Sequence, residues 1–356
     1  MRTLLLAASA ALALTVPLAA EEAGKPAYPG PSEIVAAAPA SDWTAIPAED
    51  LLVMTLAPDT DGKPRTVVIQ LMPAPFSQGW VHNIRLFARA KWYDGISVNR
   101  VQDNYVTQWG DPNYDNPEAT GKPKPLPQGL KVMGEDEYSV LWSNVPSIFH
   151  HADDLMVKGG ERLDRMMKGK EAFRGDPYAA LTLASNGWPV ASEGGQAWPT
   201  HCYGMVGVGR NLSPDTGSGA ELYTVIGHAP RHLDRNIALV GRVIEGMQHL
   251  SSLPRGSGAL GFYTAEEAAK RTAILTVRVA SDLPEAPASS SGREAQPQAE
   301  PVSQQTRPKF EYLSTESATF ARYAEAIANR RDPFFIVPAG GADICNIKVP
   351  VRRVAQ

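Results

Sequence analysis

Cysteine is nearly absent: the 356 residues contain two, Cys202 and Cys345. That scarcity excludes a Cys-rich zinc module and a disulfide-dense small scaffold. In an oxidising compartment the pair can form one disulfide, and closing so long a loop would stabilise the chain by roughly 4–5 kcal/mol in a chain-entropy account. The other arrangement is two buried thiols. An excess of charge of one sign is also missing. The net charge is −4, with Lys and Arg spread along the chain, so nothing marks a footprint for nucleic acid or for an anionic membrane surface, and neither is expected as a partner. After the first twenty residues no apolar run reaches the length of a membrane span, so no membrane insertion is expected.

Common catalytic signatures are lacking as well: there is no GxSxG elbow, HExxH, P-loop or CxxC pair. "HHADD" offers His150, His151, Asp153 and Asp154, which are metal-ligand types. Adjacent histidines diverge on a strand or a helix, and no second cluster accompanies them, so a solvated loop is the expected reading and no metal site is assigned. A metal-dependent hydrolase at His150 and His151 ranks last among the functions considered. The acidic "GEDEY" reads as an exposed face.

What is present is a core. Hydrophobic residues make up 43% of the chain, enough for one large globular domain. "MRTLLLAASAALALTVPLAA", residues 1–20, has the basic start, apolar run and small-residue end of a cleaved secretory signal, so an exported, soluble, periplasmic product is expected. Residues 21–42, rich in Pro and Ala, read as a flexible lead-in. "LLVMTL" and "TVVIQLM" flank an Asp-Gly turn and predict a hairpin. In "SQGWVHNIRLFARAKW" Ser77 is a candidate N-cap, and Trp80, Val81, Ile84, Phe87 and Ala88 recur at helical spacing. Strand-like runs follow at "GISVNRV" and "YVTQWG", then again at "YGMVGVG", "ELYTVIG", "IALVGRV" and "TAILTVRVA", with a helix expected over "IEGMQHLSSL".

Between the two groups of strands, residues 113–200 break into Pro, Gly and charged stretches with short helical pieces such as "ERLDRMMKGKEAF", and read as an insertion. Residues 284–308 carry almost no large apolar side chains and read as disordered. Residues 309–356 regain order, with Ser317 capping a helix and "FFIVP" and "NIKVPV" as strands, and are expected to dock on the main domain, residues 43–283. Many short strands with few helices predict a mainly β, nearly closed structure.

The stretch "NRVQDNYVTQWGDP" places Arg100, Tyr105, Gln108 and Trp109 within one strand-like run. If an irregular turn near "QDN" separates two strand segments, Arg100 and Gln108 share a face. An Arg does not titrate near neutrality, so it serves recognition or transition-state stabilisation and not proton abstraction.

At these residues the sequence resembles a known family. "TVVIQLMPAPFSQGWVHNIRLFARAKWYDGISVNRVQDNYVTQWGDP" is similar to the first half of a cyclophilin, a peptidyl-prolyl cis-trans isomerase of the exported bacterial kind, and "GMVGVGRNLSPDTGSGAELYTVIGHAPRHLDRNIALVGRVIEGMQHL" to the second. The resemblance implies a closed eight-stranded antiparallel barrel capped by two helices, with 113–200 inserted and 309–356 appended. It implies an isomerase acting as a monomer on proline-containing polypeptides, without cofactor. Arg100 corresponds to the catalytic arginine and Gln108 to the glutamine that binds substrate backbone. Tyr105 and Val106 correspond to apolar lining, Tyr223 to the pocket floor and Leu233 to a wall. Met205, Val206, Gly207 and Val208 correspond to backbone that meets the residue before proline. Glu221, His232 and Ile237 depart from the family's usual residues, and the change at His232 argues against tight cyclosporin binding. The alternative is a cyclophilin-like binding module or holdase without catalysis.

Overall fold

The computed structural model describes residues 28–114, 116–145, 176–285 and 305–354. In chain order the strands are β1 (Trp43–Ala45), β2 (Leu51–Leu56), β3 (Arg65–Leu71), β4 (Ser97–Val101), β5 (Val106–Gly110), β6 (Val140–Leu141), β7 (Leu181–Ser185), β8 (Trp188–Glu193), β9 (Gln196–Pro199), β10 (Met205–Val208), β11 (Leu222–Val225), β12 (Leu239–Glu245), β13 (Ile274–Val279), β14 (Phe310–Leu313) and β15 (Val351–Arg353). The described α-helices are α1 (Pro31–Ala36), α2 (Gln78–Arg89), α3 (Gln248–Ser251) and α4 (Ala318–Ala328).

The predicted hairpin forms: β2 pairs β3 from Leu51 opposite Gln70 to Leu56 opposite Arg65. Its turn is held by Asp59, whose carboxylate accepts the N–H groups of Asp61 and Lys63 at 3.0 and 2.8 Å. Eight antiparallel strands follow one another in the order β13-β2-β3-β12-β10-β11-β5-β4. The two end strands then meet, since Val98 N–H donates to Thr272 O at 2.9 Å and Ile274 N–H to Ile96 O at 2.8 Å. The sheet is thereby an almost closed barrel, as the resemblance implied, and closure removes the edges that would pair with other chains. Leu52, Met54, Val67, Ile69, Trp109, Val206, Val208 and Leu222 fill its interior.

Helix α2 buries Trp80, Val81, Ile84, Phe87 and Ala88, the face read from the sequence. Ser77 precedes it but does not cap it with its side chain. Its φ of +54° is left-handed, whereas a capping hydroxyl needs extended backbone to reach the N–H groups of the first turn. Gln78 instead donates to the carbonyls of Met72 and Phe76 at 3.0 and 2.7 Å. The helix expected over "IEGMQHLSSL" shrinks to α3, because β12 continues through Glu245 and Gly246 then turns at φ +83°.

The insertion differs from its expected pattern. Its described part builds a second antiparallel sheet, β6-β9-β8-β7. Asn186 and Gly187, both at positive φ, form the tight turn between β7 and β8. Trp188, Val190 and Ala197 join the barrel's core cluster. "ERLDRMMKGKEAF" and the His150, His151, Asp153 and Asp154 group lie outside the described residues, as does most of 284–308.

The ends also correct the sequence reading. From Pro31 the lead-in is ordered: Ile34 of α1 is buried with Trp43, Leu313, Phe320 and Tyr323, so α1 packs on α4. β1, β14 and β15 form a third sheet, whose Phe310 and Tyr312 pack on Leu51, Val53 and Val68 of the barrel. Ser317 caps α4, its hydroxyl accepting Phe320 N–H at 3.0 Å. Cys202 and Cys345 are joined in a disulfide that ties the tail to the barrel. "FFIVP" is not a strand: Phe334 and Ile336 are 84% and 96% exposed and belong to no described sheet. Pro350, which has no N–H to donate, leaves only Val351–Arg353 in the last strand.

Candidate active site

On β4 and β5 the residues alternate between the barrel interior and its outer surface. Val98, Val101 and Trp109 point into the core, so Arg100 and Gln108 lie on the outer surface. A bulge between Val98 and Arg100 shifts the register, and Arg100 sits directly opposite Gln108. The irregular turn expected near "QDN" is present, with Tyr105 N–H donating to Gln102 O at 3.2 Å and Asn104 at φ +50°.

The Arg100 guanidinium is held on three sides. Nη1 donates to Gln108 Oε1 at 3.1 Å, Nε donates to Leu260 O at 2.7 Å, and Nη2 bonds Gln102 Oε1. Its flat face lies 5.7 Å from the Tyr105 ring centroid and 5.5 Å from that of Phe262, cation–π distances. Among the described residues no carboxylate pairs with it. Burial pulls the Arg100 pKa below its ordinary value, with Tyr105 and Tyr223 acting the other way, yet a guanidinium stays charged throughout the neutral range. Gln108 is fixed from both ends, since its Nε2 donates to Glu221 Oε2 at 3.4 Å.

Beside the cation lies an apolar patch separate from the barrel core. Val106, Tyr223 and Val225 are buried together, with Tyr105 and Ile237 packed against them. Tyr105 also stacks on His232, the rings 6.5 Å apart and 9° from parallel. Leu233 is half-buried on the 3-10 turn Arg231–Leu233, and its carbonyl accepts the Ile237 N–H at 3.2 Å, but its side chain is not among those packed on this patch. Burial holds the Tyr223 phenol well above its ordinary pKa, so it is neutral.

The stretch Met205–Val208 forms β10. β10 is an interior strand of the sheet, between β11 and β12. Its register against β12 shifts between Val206 and Gly207, and Val206 and Val208 are buried in the barrel core. Met205 is buried there too. Only Gly207 faces the site, directly under Tyr223. Gly209 also approaches the Gln108 amide: an added Cβ there would fall 3.5 Å from Gln108 Nε2. Glu221 and Gly209 also line a cavity of about 320 Å³ with Tyr114 and Asp215.

Several groups were not singled out from the sequence. Gln102 was legible as a polar residue two positions from Arg100. Leu260 and Phe262 reach the site only through the fold. Gly261, at φ +83°, brings that loop so close to β4 that an added Cβ would lie 2.8 Å from Gln102 Cα, and the Gly-rich "GSGALG" was the available signal. Among the described residues no group of three or more His, Cys, Asp or Glu could hold a metal ion.

Residues 65–279 match the family model described as cyclophilin type peptidyl-prolyl cis-trans isomerase/CLD. Among solved structures, the cyclophilin AquaCyp293 from Hirschia baltica is similar, with a TM-score of 0.54 and 18% identity over 87% of this chain and 93% of that one. A cyclophilin type peptidyl-prolyl cis-trans isomerase from Cryptosporidium parvum aligns with a TM-score of 0.36 and 9% identity, covering 65% of this chain and 96% of its own. No curated protein matches. With more than half of its length matched in sequence and the barrel present, the chain belongs to the cyclophilin-type peptidyl-prolyl cis-trans isomerase family.

Proposed function

We propose that the protein accelerates rotation about X-Pro bonds in exported polypeptides, and that Arg100 stabilises the twisted amide while the Tyr105, Val106 and Tyr223 patch holds the proline ring. The observation that carries this reading is a guanidinium pinned by three hydrogen bonds, without a carboxylate partner among the described residues, beside an apolar patch.

The planar X-Pro amide is protected by resonance, and its rotation barrier is about 18–20 kcal/mol. As the bond twists, conjugation is lost and the proline nitrogen regains a lone pair. An Arg100 N–H aimed at that lone pair makes a hydrogen bond that neither planar isomer can make, which is differential binding of the transition state. No bond is formed or broken and no proton changes owner. Gln108 fixes the guanidinium's orientation and offers its amide to the substrate backbone. The neutral phenol of Tyr223 keeps the pocket floor free of charge.

Export is supported by the character of residues 1–20 and by a disulfide of the kind that persists in oxidising compartments. No described helix is long and apolar enough to cross a membrane. The test is the cis-to-trans rate of a short Ala-Pro peptide with and without the protein. Marked acceleration is expected; a rate equal to that in buffer overturns the reading in favour of a non-catalytic binding module.

A further inference from the structure

The floor of the apolar patch is tied to a buried chain of polar groups. Tyr223 Oη lies 2.9 Å from His201 Nε2. His201 Nδ1 lies 2.8 Å from Asp234 Oδ1, and the same oxygen accepts the His201 backbone N–H at 2.9 Å. Arg231 Nε donates to Asp234 Oδ2 at 2.6 Å, and its two terminal nitrogens fork onto Asp176 at 2.6 and 3.2 Å. His201 has no exposed surface, and Arg231 and Asp234 are 3% and 6% exposed.

The chain has a direction. Burial alone would raise the Asp234 carboxyl, but His201 and Arg231 outweigh it and hold the group below its ordinary value. An ionised carboxylate only accepts, so the His201 proton sits on Nδ1. Burial in turn holds the imidazole neutral, which leaves Nε2 a bare acceptor and makes the Tyr223 hydroxyl the donor. The logic is that of a carboxylate orienting an imidazole in a catalytic triad. Here the last group is not a nucleophile but the wall of a binding pocket.

We propose that His201 is a positioning residue for the proline pocket: it fixes the ring of Tyr223, and Asp234, Arg231 and Asp176 hold His201 in the tautomer that does so. The proposal rests on reading Tyr223 as the pocket floor. It also joins both additions to the barrel to the pocket. Asp176 belongs to the insertion, and His201 precedes Cys202, which is bonded to Cys345 of the tail.

Four full-length proteins test it in the Ala-Pro assay: wild type, His201→Asn, Tyr223→Phe and the double variant. An Asn amide keeps a donor for Asp234 but offers nothing at the Nε2 position. We expect His201→Asn to raise KM about five- to tenfold with kcat within about twofold, the signature of lost ground-state positioning. In the Tyr223→Phe background the same change should have almost no further effect, because the hydroxyl it serves is gone. His201→Gln, whose carbonyl reaches toward the Nε2 position, should bring KM back toward wild type; should His201→Asn not fold, Tyr223→Phe carries the comparison, because it removes the same hydrogen bond, and a wild-type KM there overturns the proposal. Effects that simply multiply in the double variant, or a KM unmoved by His201→Asn, overturn the proposal. Tyr223→Ala separates this failure from that of the underlying reading: a KM it leaves unchanged shows that Tyr223 is not the floor.

Discussion

Gly207→Ala is a one-carbon change at a place where the structure has no room for it. The added Cβ would lie 2.3 Å from both Cζ and Oη of Tyr223 and 2.8 Å from Cε1, so the ring has to retreat by about an ångström to restore ordinary contact. Behind it stand Val106 and Val225, and its hydroxyl is fixed to His201 at 2.9 Å. Gly207 itself is paired with Tyr223 across the β10–β11 ladder, which leaves the backbone little freedom to yield. Overpacking of this kind costs about 1–3 kcal/mol, and the displaced ring should raise KM for an Ala-Pro peptide more than it lowers kcat. Tyr223→Phe should not rescue the variant, since the ring carbon Cζ clashes as closely as the hydroxyl. Thermal melting together with KM and kcat measures both effects. A Gly207→Ala protein with wild-type melting temperature and KM would refute the packing described for this site.

Two further expectations concern stability. Reducing the Cys202–Cys345 bond, which closes a loop of 143 residues, should lower unfolding stability by up to about 5 kcal/mol, read as a lower denaturation midpoint in dithiothreitol; an unchanged midpoint would refute it. Acid should destabilise the fold in two stages. His201 is held below its ordinary 6.5, so the unfolded chain takes up that proton first and stability falls as pH drops below about 6.5. Asp234, held below 3.8, contributes stability that is lost as pH falls further through its lowered value. Arg231 and His232 face His201 with like charge and reinforce the first stage. A melting temperature of His201→Asn that falls between pH 7.5 and 5.5 as steeply as that of wild type would contradict the assignment.

The barrel was legible because its hairpins announce themselves through alternating apolar runs and Asp-Gly, and because the α2 face repeats at helical spacing. The second sheet was harder to see. β7 is half-exposed along most of its length and β8 contains Pro189, so neither gives a clean alternation; the Asn186-Gly187 turn was the signal available. Arg100 and Gln108 stood out as neighbours on one strand-like run. Their third-party partners did not, since Leu260 and Phe262 are more than 150 positions away in sequence and meet Arg100 only because the barrel closes. Apolar residues in "GMVGV" mark a strand, but only pairing on both sides shows that the strand is interior. His201 carries no local pattern at all, because its partners are Tyr223 and Asp234 in three dimensions.

In the mechanism proposed above, Arg100 acts on the rotating bond and not on binding. Exchange NMR of an Ala-Pro peptide with wild-type protein and with Arg100→Ala measures the on-enzyme interconversion rate and the affinity separately. The rate should fall by about a hundredfold, equivalent to about 2.7 kcal/mol of barrier, while Kd changes by less than about threefold. An interconversion rate unaltered by Arg100→Ala would contradict this mechanism.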